Sequence, residues 1–176
     1  MKSRKNRTTF FIVESALFAA LIYVTTCYIK IPTVNGYVHV GDGLIFLAAS
    51  ILPSQYAIAA AIIGGSLGDI IGGYFIWVPA TVIIKGLTAA FFSAKTKKII
   101  SFRNSLALLL SLVLCVGGYY LYEAVFIVDN FISPLASALP NVGQTVASSA
   151  VYICLGMIID LRPRLKKLLT EPKDMI

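Results

Sequence analysis

Two ionisable side chains, Lys85 and Glu123, stand inside otherwise apolar stretches and are the first residues to consider for chemistry. A charged side chain within a membrane span is costly, so each is a functional candidate by default. The two groups could pair with each other in an empty binding site, and each could contact a ligand in an occupied one. A purely structural ion pair between them is the alternative.

Helical spacing groups further polar side chains with this pair. Tyr119, Tyr122 and Glu123 share one helical face at i, i+3 and i+4. Asn141 and Gln144 share a face of the next apolar segment at i and i+3. Aromatic walls with a few hydrogen-bonding groups are typical of a pocket for a small polar ring compound. The chemistry that these residues indicate is therefore ligand binding.

The remaining candidates lie in loops. Tyr37, His39 and Asp42 fall in one predicted loop, and Trp77 falls in another. Plainer interpretations exist, because a tryptophan near a helix end is often an interfacial anchor, and a lone loop histidine is often only solvated. Asp42 could merely cap the helix that follows it. The candidate binding residues are Tyr37, His39, Asp42, Trp77, Lys85, Tyr119, Tyr122, Glu123, Asn141 and Gln144.

Six apolar segments would have to position these side chains. A helix needs about 20 mostly apolar residues to cross a bilayer. The second segment is the short one, and it reaches only about 15 Å at the helical rise. The predicted segments are Phe10–Ile29, Gly43–Leu52, Tyr56–Gly73, Ala80–Ala94, Asn104–Val128 and Val142–Leu161, with loops at Lys30–Asp42, Tyr74–Pro79 and Asp129–Pro140.

The basic residues give an independent test of this count. All of the 15 lysines and arginines except Lys30 and Lys85 lie in three clusters, which precede the first segment, separate the fourth from the fifth, and follow the sixth. Six spans place the three clusters on one side, which the positive-inside rule makes cytoplasmic. We therefore expect an all-α integral membrane bundle of six helices in a single domain, 1–176, with cytoplasmic basic tails at 1–9 and 162–176. The candidate binding residues then gather near its outer face.

The composition supports the membrane and argues against other classes. Of the 176 residues, 58% are hydrophobic and 13% are charged, against roughly 45–50% and 25% in soluble domains. A soluble fold of this size could not bury so much apolar surface, which argues against a soluble enzyme or a nucleic-acid binder. No P-loop, HExxH or GxSxG motif occurs, and one histidine cannot build a metal cluster or a triad. We expect neither catalysis nor a metal or cofactor.

Small residues form stripes on two of the segments. Ala16 and Ala20 are four apart on the first, and Gly64, Gly68 and Gly72 repeat that spacing on the third. Such stripes let helix backbones approach closely in lipid. Internal packing is the favoured interpretation of the glycines. For the alanines, packing against a separate membrane protein is a serious alternative.

Several stretches together resemble a known family. The run GYVHVGD at 36–42, followed by LIFLAA at 44–49, is similar to the GYxHxGD…FLAA signature of substrate-binding S components of energy-coupling factor (ECF) vitamin transporters. The stretches WVP at 77–79, IKGL at 84–87 and LPNVGQ at 139–144 continue the similarity. The pair Ala16 and Ala20 matches the AxxxA motif with which those proteins contact their transmembrane coupling subunit.

The resemblance implies a six-helix fold with a ligand pocket near the outer face, in the plasma membrane of a bacterium. It also implies a complex with a transmembrane coupling subunit (T) and two cytoplasmic ATPases (A and A'), in which the binding subunit is thought to topple to release its cargo. Within the family, the chain most resembles members assigned to hydroxymethylpyrimidine or pyridoxine-type compounds, with pantothenate and riboflavin as alternatives. An autonomous small-solute transporter and a small membrane enzyme are the interpretations from other classes.

Overall fold

The structure, a computed structural model, describes residues 2–33 and 37–170 as a bundle of helices with one small hairpin. The apolar segments form helices because a backbone surrounded by apolar groups must satisfy its hydrogen bonds internally. The elements are α1 (Lys2–Tyr28), β1 (Lys30–Pro32), β2 (Tyr37–His39), α2 (Asp42–Ile51), α3 (Ser54–Gly72), a 3-10 turn (Phe75–Trp77), α4 (Val78–Phe91), α5 (Phe102–Tyr122), a π-helical turn (Glu123–Ile127), α6 (Leu135–Asp160) and α7 (Pro163–Thr170).

The outer surface of this bundle is apolar. Leu17 is 60% exposed, and Val113 and Phe126 are each 71% exposed, whereas soluble monomers rarely expose large contiguous apolar patches. Within the described residues, four helices are long and apolar enough to cross a membrane, and two shorter apolar helices lie between them. The expected helical membrane bundle is thus confirmed as a class, while six spans and the side of the termini stay predictions.

A hairpin replaces part of the loop expected at Lys30–Asp42, so the fold is not purely α-helical. Strands β1 and β2 pair antiparallel, with Lys30 opposite His39 and Pro32 opposite Tyr37. Three residues a strand are too few for an alternating pattern to stand out in the sequence. Asn35 and Gly36, which fall in the same predicted loop, lie outside the described residues. We call the end of the bundle with this hairpin the hairpin end, and the opposite end, with residues 92–101 and α7, the loop end.

Helices α1 and α6 begin before their predicted limits, with α1 starting at Lys2 instead of Phe10, and an additional helix follows α6. Helix α6 begins at Leu135 instead of Val142 and continues through Pro140, which removes one backbone hydrogen bond in an early turn. Residues 163–170, expected within a basic tail, form helix α7. Pro163 suits the first position of a helix, where its missing N–H has no partner to lose.

Glycines set the separation of α1 and α3, which pack side by side. A methyl group added at Gly64 would lie 2.7 Å from the Ala19 carbonyl oxygen, and one at Gly68 would lie 2.5 Å from Thr26 Cγ2. Both distances are shorter than van der Waals contact, so the two backbones can approach this closely only because these positions lack a side chain. Internal packing of these two glycines is confirmed.

Ala16 and Ala20 lie on a different face of α1. Both are exposed on the surface of the bundle, whereas their neighbours Ser15 and Ala19 are buried. The Ser15 hydroxyl, for example, donates to the Tyr56 carbonyl across the α1–α3 contact (2.8 Å). The two alanines therefore present a shallow strip on the outside of the bundle and do not take part in its internal packing.

The loop end is held together by Asn104, a fully buried residue of α5. Its amide nitrogen donates to Ser50 Oγ (3.2 Å) and to the carbonyls of Ser93 (3.2 Å) and Ile99 (3.0 Å). Its amide oxygen accepts the Ser93 N–H (3.0 Å). One side chain thus ties α2 and the 92–101 segment to α5, and every polar atom of that buried amide is satisfied.

Aromatic rings fill the space beside this amide. The Phe46 and Phe92 rings stack with centroids 5.0 Å apart, and Tyr152 meets Phe92 edge-on at 5.6 Å. The Tyr152 hydroxyl donates to the Ile99 carbonyl (2.7 Å), so the polar network and the aromatic cluster share a residue. The aromatic rings and the Asn104 network therefore fill this part of the loop end, whereas the hairpin end contains the cavity described below.

Candidate functional site

A cavity opens at the hairpin end, between the hairpin, helix α1 and helices α3 to α6. It has a volume of about 600 Å³ when the space at its mouth is counted. Each surrounding element contributes polar or aromatic side chains to its wall. The lining residues are Thr26, Thr33, Tyr37, Val38, His39, Gly65, Asp69, Trp77, Thr81, Lys85, Tyr119, Glu123, Ser137, Pro140, Asn141 and Gln144.

The structure brings most of the candidate binding residues together around this cavity. Asp42 and Tyr122 do not line it. Asp42 lies just behind the wall, in contact with two lining side chains, and Tyr122 packs outside it. The candidates that line the cavity are Tyr37, His39, Trp77, Lys85, Tyr119, Glu123, Asn141 and Gln144.

The floor of the cavity is a buried ion pair between Lys85 of α4 and Asp42 of α2. The Lys85 ammonium lies 2.8 Å from Asp42 Oδ1 and donates to Oδ2 at 2.9 Å, and the two side chains are only 2% and 3% exposed. Gln144 of α6 adds a third contact, because its Nε2 also donates to Asp42 Oδ2 (2.9 Å). A buried charge needs such partners to offset the loss of its hydration.

This pair corrects two expectations. The ion pair joins Lys85 to Asp42, whereas the sequence had suggested Glu123 as the partner of Lys85. The capping interpretation of Asp42 is also wrong, since Gly41 occupies the N-cap position of α2 and the Asp42 carboxylate bonds to Lys85 and Gln144. Both residues come from elements far apart in sequence, so only the packing of α2 against α4 and α6 shows the contact.

One wall of the cavity is aromatic. The Trp77 and Tyr119 rings meet edge to face with centroids 5.9 Å apart, and the Lys85 ammonium lies 5.2 Å from the centre of the Tyr119 ring. The Tyr119 hydroxyl exchanges a hydrogen bond with Thr81 Oγ1 (3.0 Å). These contacts fix both rings before any ligand arrives, which lowers the entropy cost of packing a planar compound against them.

Tyr122 supports that wall from behind. Its hydroxyl donates to the Ile76 carbonyl (2.6 Å), and its ring lies 5.9 Å from Trp77. Tyr122 therefore does not line the cavity, for a geometric reason. A helix turns about 100° per residue, so Glu123 lies about 40° from Tyr119 on one side, and Tyr122 lies about 60° away on the other.

The hairpin covers the cavity and is fixed to two helices. The Tyr37 hydroxyl donates to Asp69 Oδ1 of α3 (2.6 Å), and the His39 N–H donates to Gln144 Oε1 of α6 (3.2 Å). Burial, and then the neighbouring Asp69 carboxylate, raise the pKa of Tyr37 well above its usual value. Tyr37 is therefore a hydrogen-bond donor to the carboxylate at any physiological pH.

His39 is held as a neutral imidazole. Its Nδ1 accepts the Gly41 N–H (3.0 Å), which assigns the ring proton to Nε2. Burial lowers the pKa of His39 to about 4, so the ring carries no charge at physiological pH. The interpretation of His39 as a merely solvated loop residue does not fit a ring held in this way against the cavity.

Sequence reasoning missed several of the lining residues, and helical spacing could have found two of them. Thr81 lies one turn before Lys85, and Gly65 lies one turn before Asp69, at the i, i+4 spacing that shares a face. Asp69 itself accepts a hydrogen bond from Tyr37, 32 residues away. No local pattern predicts that contact.

The chain matches a family model described as "ECF-type riboflavin transporter, S component" over residues 6–162. No curated protein matches it significantly. The matched stretch runs from α1 to the end of α6 and includes every residue of the cavity described above. Since the match spans most of the sequence, the chain belongs to the family of ECF-type riboflavin transporter S components.

Proposed function

We propose that this protein is the membrane-embedded, high-affinity vitamin-binding subunit of an ATP-driven ECF importer, and that it captures its vitamin in the cavity under the hairpin. The observation that carries the proposal is the cavity itself, where fixed aromatic rings and buried polar groups converge at one end of the bundle. Sites for small molecules combine these two features. The protein has no catalytic role in this proposal, since ATP hydrolysis belongs to its partners.

We infer that the hairpin end faces the outside of the cell and that six helices span the plasma membrane. The loop end carries the exposed basic side chains, which belong on the cytoplasmic side by the positive-inside rule. Both termini are cytoplasmic in this topology. Helices α2 and α4 are then the two short spans. Helix α2 is almost entirely buried among longer neighbours, whereas α4 exposes Ile83 and Leu87 on the surface of the bundle. The basic side chains exposed at the loop end include Lys95, Lys97, Lys98, Arg103, Arg162 and Arg164.

The proposed vitamin is a compact, planar nitrogen heterocycle. Hydroxymethylpyrimidine and pyridoxine fit this description, and both would pack against the wall of Trp77 and Tyr119 while their polar substituents meet Asn141 and Gln144. Riboflavin is the second candidate, favoured by the description of the family model that the chain matches. Its larger ring system would have to fill more of the cavity than those compounds do.

Trp77 provides the test, because it is the only tryptophan of the chain and lines the cavity. Mass spectrometry of small molecules retained by the purified protein identifies the vitamin, and tryptophan fluorescence then follows its titration. We expect a saturable change in fluorescence with the retained compound. Calorimetry of Trp77→Ala is expected to show an affinity about threefold to tenfold weaker, the amount an aromatic contact contributes.

Phe75→Ala is the matched control for this variant. Phe75 belongs to the same 3-10 turn, is 65% exposed and does not line the cavity, so its replacement should leave the affinity unchanged. Retention of no vitamin, in protein that is folded and purified without denaturation, would overturn the proposed function. Equal losses in the two variants would place the binding site elsewhere.

The proposed partners are the coupling subunit T and the two ATPases A and A', and the proposed contact surface is the strip at Ala16 and Ala20. Both alanines are exposed on α1, and small side chains let a partner helix approach closely in lipid. We expect Ala16→Leu/Ala20→Leu to abolish co-purification of the ATPases without changing vitamin affinity. The measurement is a pull-down from membranes that contain the whole transporter.

Ala150→Leu is the control for partner binding, since Ala150 is an exposed alanine on α6. It should leave the ATPases bound, because it adds the same bulk to another surface. Co-purification that survives the double substitution on α1 would contradict the proposed surface. ATP-independent accumulation of a vitamin by the reconstituted chain alone would favour an autonomous transporter over a subunit.

A further inference from the structure

The charges around the cavity are unequal. Asp69 and Glu123 line it with carboxyl groups and are 6% and 0% exposed. Among the described residues that line the cavity, Lys85 is the one with a permanent positive charge, and its ammonium is already bound by Asp42 at 2.8 Å. The wall thus offers two carboxyl groups and a cation whose charge is already balanced.

One carboxyl oxygen of Asp69 accepts no hydrogen bond from the described residues. Oδ1 accepts the Tyr37 hydroxyl (2.6 Å), whereas Oδ2 is buried with no donor in hydrogen-bonding geometry among the described residues. The Thr81 hydroxyl is a neighbour of this carboxyl group, and it exchanges a hydrogen bond with the Tyr119 hydroxyl at 3.0 Å. A buried acceptor without a donor destabilises the protein, and a ligand that supplies the donor would remove that cost.

A second lining side chain also carries a buried oxygen that makes no hydrogen bond to the described residues. Thr26 of α1 is 1% exposed, and its Oγ1 is also buried without a hydrogen-bond partner among the described residues. Its methyl group is the atom that Gly68 accommodates, so its rotamer is fixed by packing. His39 adds no positive charge to this side of the cavity, because burial keeps its imidazole neutral at physiological pH.

We propose that the vitamin presents hydrogen-bond donors, amino or hydroxyl groups, to Asp69 and Glu123, and that the site rejects vitamins that carry a carboxylate. A carboxylate in this cavity would face the Asp69 and Glu123 carboxyl groups, while Lys85, the one cation among the described lining residues, is already paired with Asp42. Like charges in a low-dielectric site repel strongly. A neutral or cationic compound with amino or hydroxyl substituents would instead satisfy the spare acceptor of Asp69. This inference rests on the proposed function and narrows its substrate.

The experiment offers the purified full-length protein an equimolar mixture of vitamins and identifies the bound fraction by mass spectrometry. The mixture contains riboflavin, pyridoxine, pyridoxamine, hydroxymethylpyrimidine and thiamin as compounds without a carboxylate. Pantothenate, biotin, nicotinate and folate are the compounds with one. We expect retention from the first group alone. Retention of a carboxylate compound would overturn this inference and leave the vitamin-binding function standing, whereas retention of none would overturn both.

Asp69→Asn tests the assigned acceptor with the retained compound. Asparagine keeps an oxygen for the Tyr37 hydroxyl, so the variant is expected to fold, and thermal unfolding checks that it does. We expect an affinity at least tenfold weaker. Asp129→Asn is the control, since Asp129 is exposed and does not line the cavity. An unchanged affinity in Asp69→Asn would overturn the assignment, as would an equal loss in Asp129→Asn.

Discussion

Replacing Lys85 with methionine is expected to destabilise the bundle by about 3–5 kcal/mol, the cost of leaving one member of a buried ion pair without its partner. The Asp42 carboxylate, 3% exposed, would keep only the Gln144 amide at 2.9 Å to replace both its hydration and the ammonium. Thermal unfolding in detergent, followed by circular dichroism, measures the loss. The same variant should bind its vitamin poorly because the floor of the cavity rearranges.

The double variant Asp42→Asn/Lys85→Met separates the charge from the packing. Removing both charges leaves no isolated buried ion, and replacing a buried pair by groups of similar volume is often close to neutral for stability. We therefore expect the double variant to recover most of the stability that Lys85→Met loses. If the losses of the two single variants simply added, the pair would not be coupled, and the contact at 2.8 Å would have no energetic weight.

Gly64→Ala is expected to cost about 1–3 kcal/mol, as overpacking of a well-filled contact usually does. The new methyl group would lie 2.7 Å from the Ala19 carbonyl oxygen and 2.8 Å from Ile22 Cβ. The Ala19 carbonyl oxygen belongs to the backbone and cannot rotate away from the methyl group, so α1 and α3 would have to separate. Thermal unfolding is again the measurement.

Gly117→Ala is the matched control, because a methyl group at Gly117 meets nothing within 4 Å. The same substitution should be neutral or stabilising by up to about 1 kcal/mol there, since alanine favours a helix more than glycine does. A loss of stability at Gly117 equal to that at Gly64 would show that the helix, and not the α1–α3 contact, responds to the methyl group. No loss at Gly64 would contradict the packing described above.

The sequence was informative wherever a single segment holds the information. Apolar length identified the helices, and the cost of a charge in lipid singled out Lys85 and Glu123. Helical spacing placed Tyr119 and Glu123 on one side correctly, but it could not say which neighbouring face looks into the cavity. Tyr122 does not line the cavity because it lies about 60° around the helix from Tyr119, on the side opposite to Glu123.

Contacts between segments could not be predicted in the same way. Asp42 and Lys85 are 43 residues apart, and Asp42 and Gln144 are 102 apart, so no local period links them. The hairpin was missed because each of its strands has three residues. Each of these features depends on which helices pack side by side, and one sequence does not fix that choice.

The closed half of the bundle has a consequence for delivery. Asn104 makes four hydrogen bonds there, and the Phe46, Phe92 and Tyr152 rings fill the space beside them. Opening a passage through this half would break the hydrogen bonds of the buried amide and separate the stacked rings, and both changes cost free energy. If the vitamin binds in the cavity as proposed, we expect it to leave through the same mouth, and the whole protein would then have to reorient in the membrane to deliver it.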